Sequence, residues 1–493
     1  MALFRHAVGR VARAMAVVAI AAVGAIGCRF DQAGVDFTGD GGTQVQGDAG
    51  DSSGDGGAPL ATGDMRLLYG EVAIDRVKSK HWERSSRLWD DDAPLPKAGG
   101  TPLWLIEQVT PAGEEVLAAE IKTVGGHALA AYRGGDGGWT EDWRRTTTLS
   151  ADSKRGFDLA VEASGDVLAV YGNDSPTPSY RVLSGGQWSE EQKVPLDDGP
   201  GPMPDTNTGA VNWVELVPRP GGDEIALLYA DSNRDLVGII WDGNQWMEET
   251  AKVLETELKR SAVTQDVANR AFDGAFESQR GNLIVAWGRD GWASALTTRW
   301  SRATKTWLDN PDYQSGIVNG TPHYVDLAAD PASDRVAAAF YDLGDGTERL
   351  GLAMWDGSQW MDKGELDSQT HDVNDQAIGD MPGQVTWIGQ SHIALCIYAD
   401  DQEGTLDWAT WQTGRGWALE NDVALPGKGY TESVAIGGGP SADRLVVLMS
   451  DQNLRLWATT YAAGQWQISN GGQPLSTVVS AGDAVPFSIA EKP

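Results

Sequence analysis

A six-residue hairpin motif recurs along the chain and constrains its fold more than any other feature. The clearest copies, WDGNQW and WDGSQW, occupy residues 241–246 and 355–360. Each copy follows an apolar run, and Asp-Gly between two β-forming runs is a strong hairpin signal because Gly accepts a positive φ at no steric cost. Degenerate copies occur at residues 185–188, 299–307, 411–417 and 461–466. The chain is therefore predicted to be a repeat protein built from short antiparallel strands.

The repeat divides residues 65–493 into eight units of four short strands, with the hairpin between the third and fourth strand. Odd and even units differ in their first strand. Units 3 and 5 open with Phe-Asp at residues 157 and 272, whereas units 4 and 6 carry Val-Glu-Leu and Val-Asp-Leu at 214–216 and 325–327. The odd openings lie about 115 residues apart, so the true period is predicted to be a pair of units.

The two ends of the repeat region are predicted to meet. Unit 1 lacks a first strand and starts at residues 66–70, with residues 104–108 as its last strand, and unit 2 then begins at Val116. The C-terminal run 487–491 matches the opening of the odd units and would complete unit 1. We therefore predict an all-β fold: a β-propeller of eight four-stranded blades closed by the C-terminal strand. Seven blades is the alternative, because units 1 and 2 are irregular.

The first 64 residues are predicted to contain a targeting signal and a tether that precede the repeat domain. Residues 1–28 have a basic start and then an apolar stretch, which is typical of a secretory signal and too short for a membrane span. Residues 29–64 are rich in Gly, Asp and Ser, so they bury too little apolar surface to fold and are predicted to be a disordered tether. The other cysteine, Cys396, lies in an apolar run and is predicted to be a buried small hydrophobe.

The end of the apolar stretch, Ala-Ile-Gly followed by Cys28, resembles the lipobox of bacterial lipoproteins. The resemblance implies cleavage before Cys28 and attachment of lipid to that residue. Arg29 follows in place of Asp, which is similar to lipoproteins sent to the outer membrane. We therefore expect a lipid-anchored protein of the cell envelope at the outer membrane, on its periplasmic face or at the cell surface.

Composition excludes one large class of partner. The formal net charge is −32, and a polyanion is repelled by DNA, RNA and anionic lipid surfaces. Nucleic-acid binding is therefore not expected. We expect the protein to be a monomer. The 61 glycines and 21 tryptophans suit many short strands and turns rather than long helices.

The repeat resembles the Asp-box and lectin-type propellers of secreted bacterial proteins, and repeat lipoproteins. It differs from WD40 repeats because the matching Gly-His is absent. Fucose-type lectin propellers share the hairpin motif, so the resemblance implies a non-catalytic module that binds a glycan or a protein. The candidate sugar-stacking residues are the hairpin tryptophans Trp241, Trp246, Trp355 and Trp360. The alternative is that these rings pack between blades.

Two sets of acidic residues are further candidates. The first strands of units 3 and 5 carry Asp158, Glu162, Asp273 and Glu277, which would line an acidic mouth of the central channel or face water. A second set follows the second strands, where carboxylates either cap turns or bind calcium; its members are Asp231, Asp342 and Asp400. No other cofactor is expected.

No catalytic motif is recognisable. The sequence contains no HExxH, no GxSxG elbow between a strand and a helix, and no phosphate-binding loop. The arginines and acids of sialidases cannot be assembled, so no catalytic residue is assigned, and a sialidase-type glycosidase or a lyase remains the alternative function. The two hypotheses predict different sites. An enzyme gathers carboxylates and arginines from several blades at one funnel, whereas a multivalent lectin repeats one pocket, here in up to four equivalent copies.

Overall fold

The computed structural model describes most of the chain from residue 62 onward. The described ranges are 62–135, 138–147, 154–173, 175–196, 209–260, 270–308, 310–344, 347–370, 381–420, 422–425, 429–438, 444–479 and 484–492. The predicted signal sequence, Cys28 and the tether up to residue 61 lie outside these ranges. Across the described ranges, we find no helix with the length and apolar character needed to cross a membrane.

The described residues form eight antiparallel sheets, numbered here as blades 1 to 8. Blades 1 and 2 contain β1 (Met65–Gly70), β2 (Val77–Glu83), β3 (Leu88–Asp91), β4 (Thr101–Val109), β5 (Glu115–Thr123), β6 (Gly126–Gly135) and β7 (Gly138–Thr147). Blades 3 and 4 contain β8 (Phe157–Val161), β9 (Val167–Tyr171), β10 (Ser179–Ser184), β11 (Gln187–Trp188), β12 (Gln192–Lys193), β13 (Val211–Pro218), β14 (Ile225–Asp231), β15 (Leu236–Trp241) and β16 (Trp246–Glu255).

The remaining strands continue the same order along the chain. Blades 5 and 6 contain β17 (Phe272–Phe276), β18 (Leu283–Gly288), β19 (Ala295–Ser301), β20 (Thr306–Trp307), β21 (Asp312–Gln314), β22 (Tyr324–Ala329), β23 (Val336–Gly344), β24 (Thr347–Trp355) and β25 (Trp360–Asp367). Blades 7 and 8 contain β26 (Gly383–Ile388), β27 (Ile393–Ala399), β28 (Thr405–Gln412), β29 (Gly416–Leu419), β30 (Val423–Ala424), β31 (Thr431–Gly437), β32 (Arg444–Asp451), β33 (Leu456–Ala462) and β34 (Gln465–Ile468). Two short 3₁₀ turns follow β26 and β34, at Gly389–Ser391 and Asn470–Gly472.

The first strands of the blades form a closed inner ring. Each contacts the first strand of both neighbouring blades, in the order β4, β8, β13, β17, β22, β26, β31 and β35. The last of these, β35 (Phe487–Glu491), belongs to blade 1 and pairs antiparallel with β1. The prediction of an eight-bladed propeller closed by the C-terminal strand is confirmed, and the seven-bladed alternative is wrong.

One assignment within this region is wrong. Residues 104–108 lie in β4, which is the inner strand of blade 2 rather than the last strand of blade 1. Consequently Val116 lies in the second strand of blade 2, not the first. The outer strand of blade 1 is instead the short β3, which pairs with β2. The error arose because β2 reads VKSKHWE, a mixed run with little apolar alternation.

The predicted Trp hairpins form as expected. Trp241 pairs with Trp246, and Trp355 with Trp360, across the two turns. Gly243 has φ +96° and its counterpart Gly357 +95°, conformations that L-residues with a Cβ rarely adopt. In each turn the aspartate side chain accepts two backbone N–H bonds from the residues that follow, which fixes the loop.

The hydrophobic core lies in layers between adjacent blades. Small Ala and branched aliphatic side chains fill the second strands, and aromatic rings close the gaps at their ends. For example, Tyr180 of blade 3 meets Trp246 of blade 4 edge-on at 5.6 Å. Cys396 is fully buried in blade 7 with a free thiol, as predicted.

Candidate functional site

Each inner strand presents one equivalent position to the central channel, and this position ties neighbouring blades together. We call the residues at this position ring residues. At five of the eight junctions between blades, the ring residue of one blade accepts a hydrogen bond through its side chain. The donor is the backbone N–H of the residue that comes directly after the ring residue of the next blade. The acceptors are Asp158, Asp273, Asp326, Gln384 and Ser488, at donor–acceptor distances of 2.6–3.0 Å. The remaining positions of this ring are Ile106, Glu215 and Ala435.

The ring positions are charged on one half and uncharged on the other. Four consecutive blades, 3 to 6, carry carboxylates: Asp158, Glu215, Asp273 and Asp326. Blades 7, 8, 1 and 2 carry neutral groups, which are Gln384, Ala435, Ser488 and Ile106. The channel therefore presents an ionic wall that faces an uncharged wall.

Two arginines complete the ionic wall. Arg155 and Arg270 each lie three residues before the ring aspartate of their blade, and both are buried. Arg155 contacts Glu215 and donates to the Val214 carbonyl at 2.8 Å. Arg270 donates to Asp273 at 2.9 Å, lies 3.4 Å from Glu215 and also contacts Asp326. Glu215 thus joins the two guanidinium groups. We call this continuous cluster the arc; its members are Arg155, Asp158, Glu215, Arg270, Asp273 and Asp326.

The alternation of odd and even blades has a steric cause at this point. Arg155 stacks on Trp213 of the next blade at 5.1 Å, and Arg270 stacks on Tyr324 at 5.3 Å. Blades 4 and 6 thus supply the bulky aromatic ring, and blades 3 and 5 supply a cation with a small residue, Gly156 or Ala271, beside it. Such stacking stabilises a buried guanidinium.

Negative charge exceeds positive charge in the arc, with four carboxylates against two guanidinium groups. Burial raises the pKa of Asp158 to about 7, with Arg155 opposing the rise and Glu215 adding to it. Burial likewise raises the pKa of Asp273 well above its usual range and raises that of Asp326. The arc therefore tends to hold protons or to attract a group that offers hydrogen-bond donors.

Two cavities open beside the arc. One, of about 270 Å³, is bounded by ring residues from six of the eight blades and by Arg270 from a seventh, so it lies on the channel axis. Its ionic side comprises Arg155, Asp158, Glu215 and Arg270. Its opposite side includes Met381, Gln384, Ala435, Val485 and Ser488. Glu107 of blade 2 also borders this opposite side, and burial raises the pKa of its carboxyl well above its usual range. The second, of about 310 Å³, shares Glu215 and Arg270 and extends to Asp273 and Asp326.

The four predicted acids separate into two pairs. Asp158 and Asp273 lie in the arc, near the start of their strands. Glu162 and Glu277 lie just beyond the ends of the same strands, and they accept hydrogen bonds from the indole N–H groups of Trp241 and Trp355 at 2.7 Å each. The second pair therefore fixes hairpin tryptophans of the following blade rather than lining the arc.

The four hairpin tryptophans are buried. Their exposed fractions are 3–9%, in Trp241, Trp246, Trp355 and Trp360. The rings pack edge to face in pairs, with centroids 5.4 Å and 5.8 Å apart. Little ring surface is left for a sugar, so stacking on these residues remains a prediction that would need local opening.

The three calcium candidates differ in their surroundings. Asp231 accepts backbone N–H bonds from Asn233 and Asp235, which is a turn-capping pattern. Asp342 lies 3.3 Å from the His323 ring. Asp400 lies with Asp407 and Asp422, each with a carboxylate oxygen within 4.8 Å of the others. Calcium binding stays a prediction.

Sequence reasoning missed four members of the arc, namely Arg155, Arg270, Glu215 and Asp326. A signal was present, because residues 155–158 read RGFD and residues 270–273 read RAFD. The same pattern is absent from blades 7 and 1, where Met381 and Val485 replace arginine. Four equivalent copies of this arrangement therefore do not occur in the described inner ring.

Comparisons with known proteins support the fold. No protein-family model matches the chain, and no curated protein matches its sequence. The BP39L lectin from Burkholderia pseudomallei aligns with a TM-score of 0.51 and 12% identity, covering 76% of this chain and 99% of the lectin. The periplasmic gluconolactonase of Pseudomonas aeruginosa aligns with a TM-score of 0.44 and 11% identity, covering 87% and 100%. The first likeness shows a shared β-propeller fold.

Proposed function

We propose that this protein is a lipid-anchored, non-catalytic binding propeller of the cell envelope that takes a glycan in its central channel. The observation that carries the proposal is the two-sided channel cavity, with an ionic wall on blades 3 to 6 and an uncharged wall opposite. A sugar ring has the same division, since its hydroxyl groups donate and accept hydrogen bonds while its C–H faces are apolar. The lectin-like fold is consistent with this proposal.

The dimensions of the cavity favour a compact ligand. Small-molecule pockets typically measure roughly 300–1,000 Å³, and the axial cavity of about 270 Å³ lies just below that range. One sugar unit at the end of a glycan fits such a space better than an internal segment of a long chain. Because the raised pKa values of Asp158, Asp273 and Asp326 let the arc hold protons, its net charge stays small, which favours a neutral sugar.

A hydrolase is the second candidate, because the channel gathers carboxylates and arginines from four blades at one place. That arrangement is what an enzyme needs and a repeated lectin pocket lacks. However, Asp158 and Asp273 each accept two backbone N–H bonds, and Glu215 is engaged by both arginines. These contacts hold strands together and occupy the carboxylates of the arc, so we favour binding. Glu107 of blade 2, which borders the axial cavity, is the candidate general acid of a hydrolase, because both its carboxyl oxygens are buried without a hydrogen-bond partner and burial raises its pKa well above its usual range.

The cellular location of the protein forms part of the same proposal. Lipid on Cys28 would hold the propeller at the outer membrane, and residues 29–64 would let it reach a ligand away from the bilayer. The support is the lipobox-like sequence and the basic and apolar segments before it.

A glycan array probed with the full chain in detergent, with and without added calcium, tests the function. We expect selective binding that is lost in Ala435→Phe, because the larger side chain fills the channel without removing a hydrogen bond. Ala418→Phe, at a half-buried position on the outer strand of blade 7, is the matched control and should bind normally.

Other outcomes of the array separate the alternatives. Binding that survives Ala435→Phe and is lost in both Trp241→Ala and Trp355→Ala would move the site to the hairpins. Shortened glycans, detected by mass spectrometry after incubation, would indicate a hydrolase. A blank array with folded protein would refute glycan binding and redirect the search to a protein partner.

A further inference from the structure

Two aromatic side chains contrast with the buried tryptophans elsewhere. Among the large hydrophobic residues of the described ranges, Trp292 and Tyr313 are the aromatic ones exposed by more than a third, at 42% and 51%. They are also in contact with each other, with ring centroids 5.7 Å apart. Exposed aromatic rings that cluster in this way commonly mark a binding surface.

The fold holds Trp292 in a defined turn between β18 and β19 of blade 5. Its backbone N–H donates to the Arg289 carbonyl at 3.1 Å, and its own carbonyl accepts from Ser294 N–H and from the Thr321 hydroxyl, each at 2.8 Å. These bonds limit the freedom of the turn. Its orientation is therefore set before any ligand arrives, which lowers the entropy lost on binding.

A short extra strand brings the second ring alongside. In β21, Tyr313 pairs with Leu296 of β19, four residues beyond Trp292. The two ring planes meet at 64°, so they form an angled platform rather than a flat stack. The Arg289 guanidinium lies over the indole ring of Trp292, 5.0 Å from the ring centroid.

Charged groups of both signs border the platform. Arg289 donates to Glu257 at 2.7 Å, and the Glu257 side chain is itself 52% exposed. The neighbouring Asp290 pairs with Arg260 at 2.9 Å. Asp290 also pairs with Arg234 at 3.2 Å and with Lys259 at 3.5 Å. Because these cations and anions are paired with one another and offer both donors and acceptors, the rim suits a neutral polyhydroxylated ligand better than an ion.

We propose that Trp292 and Tyr313 form a sugar-stacking site on blade 5, where a neutral hexose unit of a glycan lies on the rings and its hydroxyl groups bond to the Arg289 and Glu257 rim. The inference deepens the proposed glycan-binding function and rests on it. It places a second contact outside the channel, at a position that the hairpin motif does not mark. The site occurs once in the described blades, since the equivalent turns there lack an exposed aromatic pair.

Saturation-transfer NMR with the full chain in detergent tests this site. The probes are methyl glycosides of glucose, galactose and mannose, together with cellotetraose and chitotetraose. We expect transfer from the protein to at least one probe, and a loss of affinity of about tenfold or more in Trp292→Ala. Tyr313→Ala should act in the same direction. Leu419→Ala removes an equally exposed apolar side chain from blade 7 and is the matched control, expected to bind like wild type.

The outcomes distinguish this site from the channel. Binding that is unchanged in Trp292→Ala and Tyr313→Ala but lost in Ala435→Phe overturns the inference and leaves the proposed function intact. Binding lost in the two aromatic variants and kept in Ala435→Phe supports the platform and moves the function there. If folded wild-type protein shows no transfer to any probe, both the inference and the proposed glycan-binding function are overturned. Cross-linking from a photoreactive residue at position 313 would then show whether a protein binds there instead.

Discussion

At the scale of single residues, burial decides which role a given side chain can take. Glu162 and Glu277 share a strand with Asp158 and Asp273, yet they bind indole N–H groups, whereas the aspartates bind backbone and arginine. Tryptophan divides in the same way between the buried hairpin rings and the exposed Trp292. Residue type and spacing alone do not separate these roles, because each depends on what packs against the residue.

Asp407 gives a prediction for pH dependence. Burial, with Asp400, Asp367 and Asp422 nearby, raises its pKa to about 8, above the value of about 4 expected in the unfolded chain. The folded state therefore binds more protons between these values, so stability should fall as pH rises from about 4 to about 8 and then level off. Asp407→Asn should remove the contribution of Asp407 to this decline and stabilise the protein at pH 9, as measured by urea midpoints at pH 5, 7 and 9.

The control for Asp407 is Asp312→Asn, which changes an exposed carboxylate on blade 5. It should leave the pH profile unaltered. Parallel profiles for wild type and Asp407→Asn would contradict the assigned role of burial and neighbouring carboxylates.

At the scale of elements, the inner strands are joined in two ways. Side chains of one inner strand accept N–H bonds from the next, and β35 joins the two ends of the chain into one blade. An open propeller would expose the β1 edge, where Leu67 and Leu68 are now fully buried. The ring therefore depends on a nine-residue segment, 484–492, that is distant in sequence from its partner.

Removal of residues 484–493 tests this dependence. The truncated chain should melt at least about 10 °C lower, because an inner strand and its pairing with β1 are lost. A synthetic peptide of residues 484–493 added in trans should restore part of the loss, and a scrambled peptide should not. Unchanged melting after truncation, followed by circular dichroism, would show that closure contributes little.

At the scale of the whole molecule, the net charge and the N-terminal sequence bear on the proposed membrane anchor. A net charge of −32 disfavours adsorption to anionic membranes, so stable membrane residence requires an anchor.

Substitution of Cys28 tests the anchor. Cys28→Ser should abolish labelling by radioactive palmitate and move the protein from the membrane fraction to the soluble fraction, because the lipid supplies the membrane affinity. Cys396→Ala is the control with the other cysteine, which is buried in blade 7, and should keep both label and location. Labelling that persists in Cys28→Ser would refute the lipobox interpretation.

The repeated hairpin, the alternation of units and the Phe-Asp-like C-terminal run were sufficient to predict eight blades and their closure, because these features are local patterns of turns and apolar runs. The boundary between blades 1 and 2 was wrong, since the polar run of β2 hides a strand that only pairing reveals. The arc of Arg155, Glu215 and Arg270 and the platform of Trp292 and Tyr313 were decided by tertiary structure. Their members come from different blades or from turns without a motif, and only the closure of the ring and the packing of the blades bring them within contact.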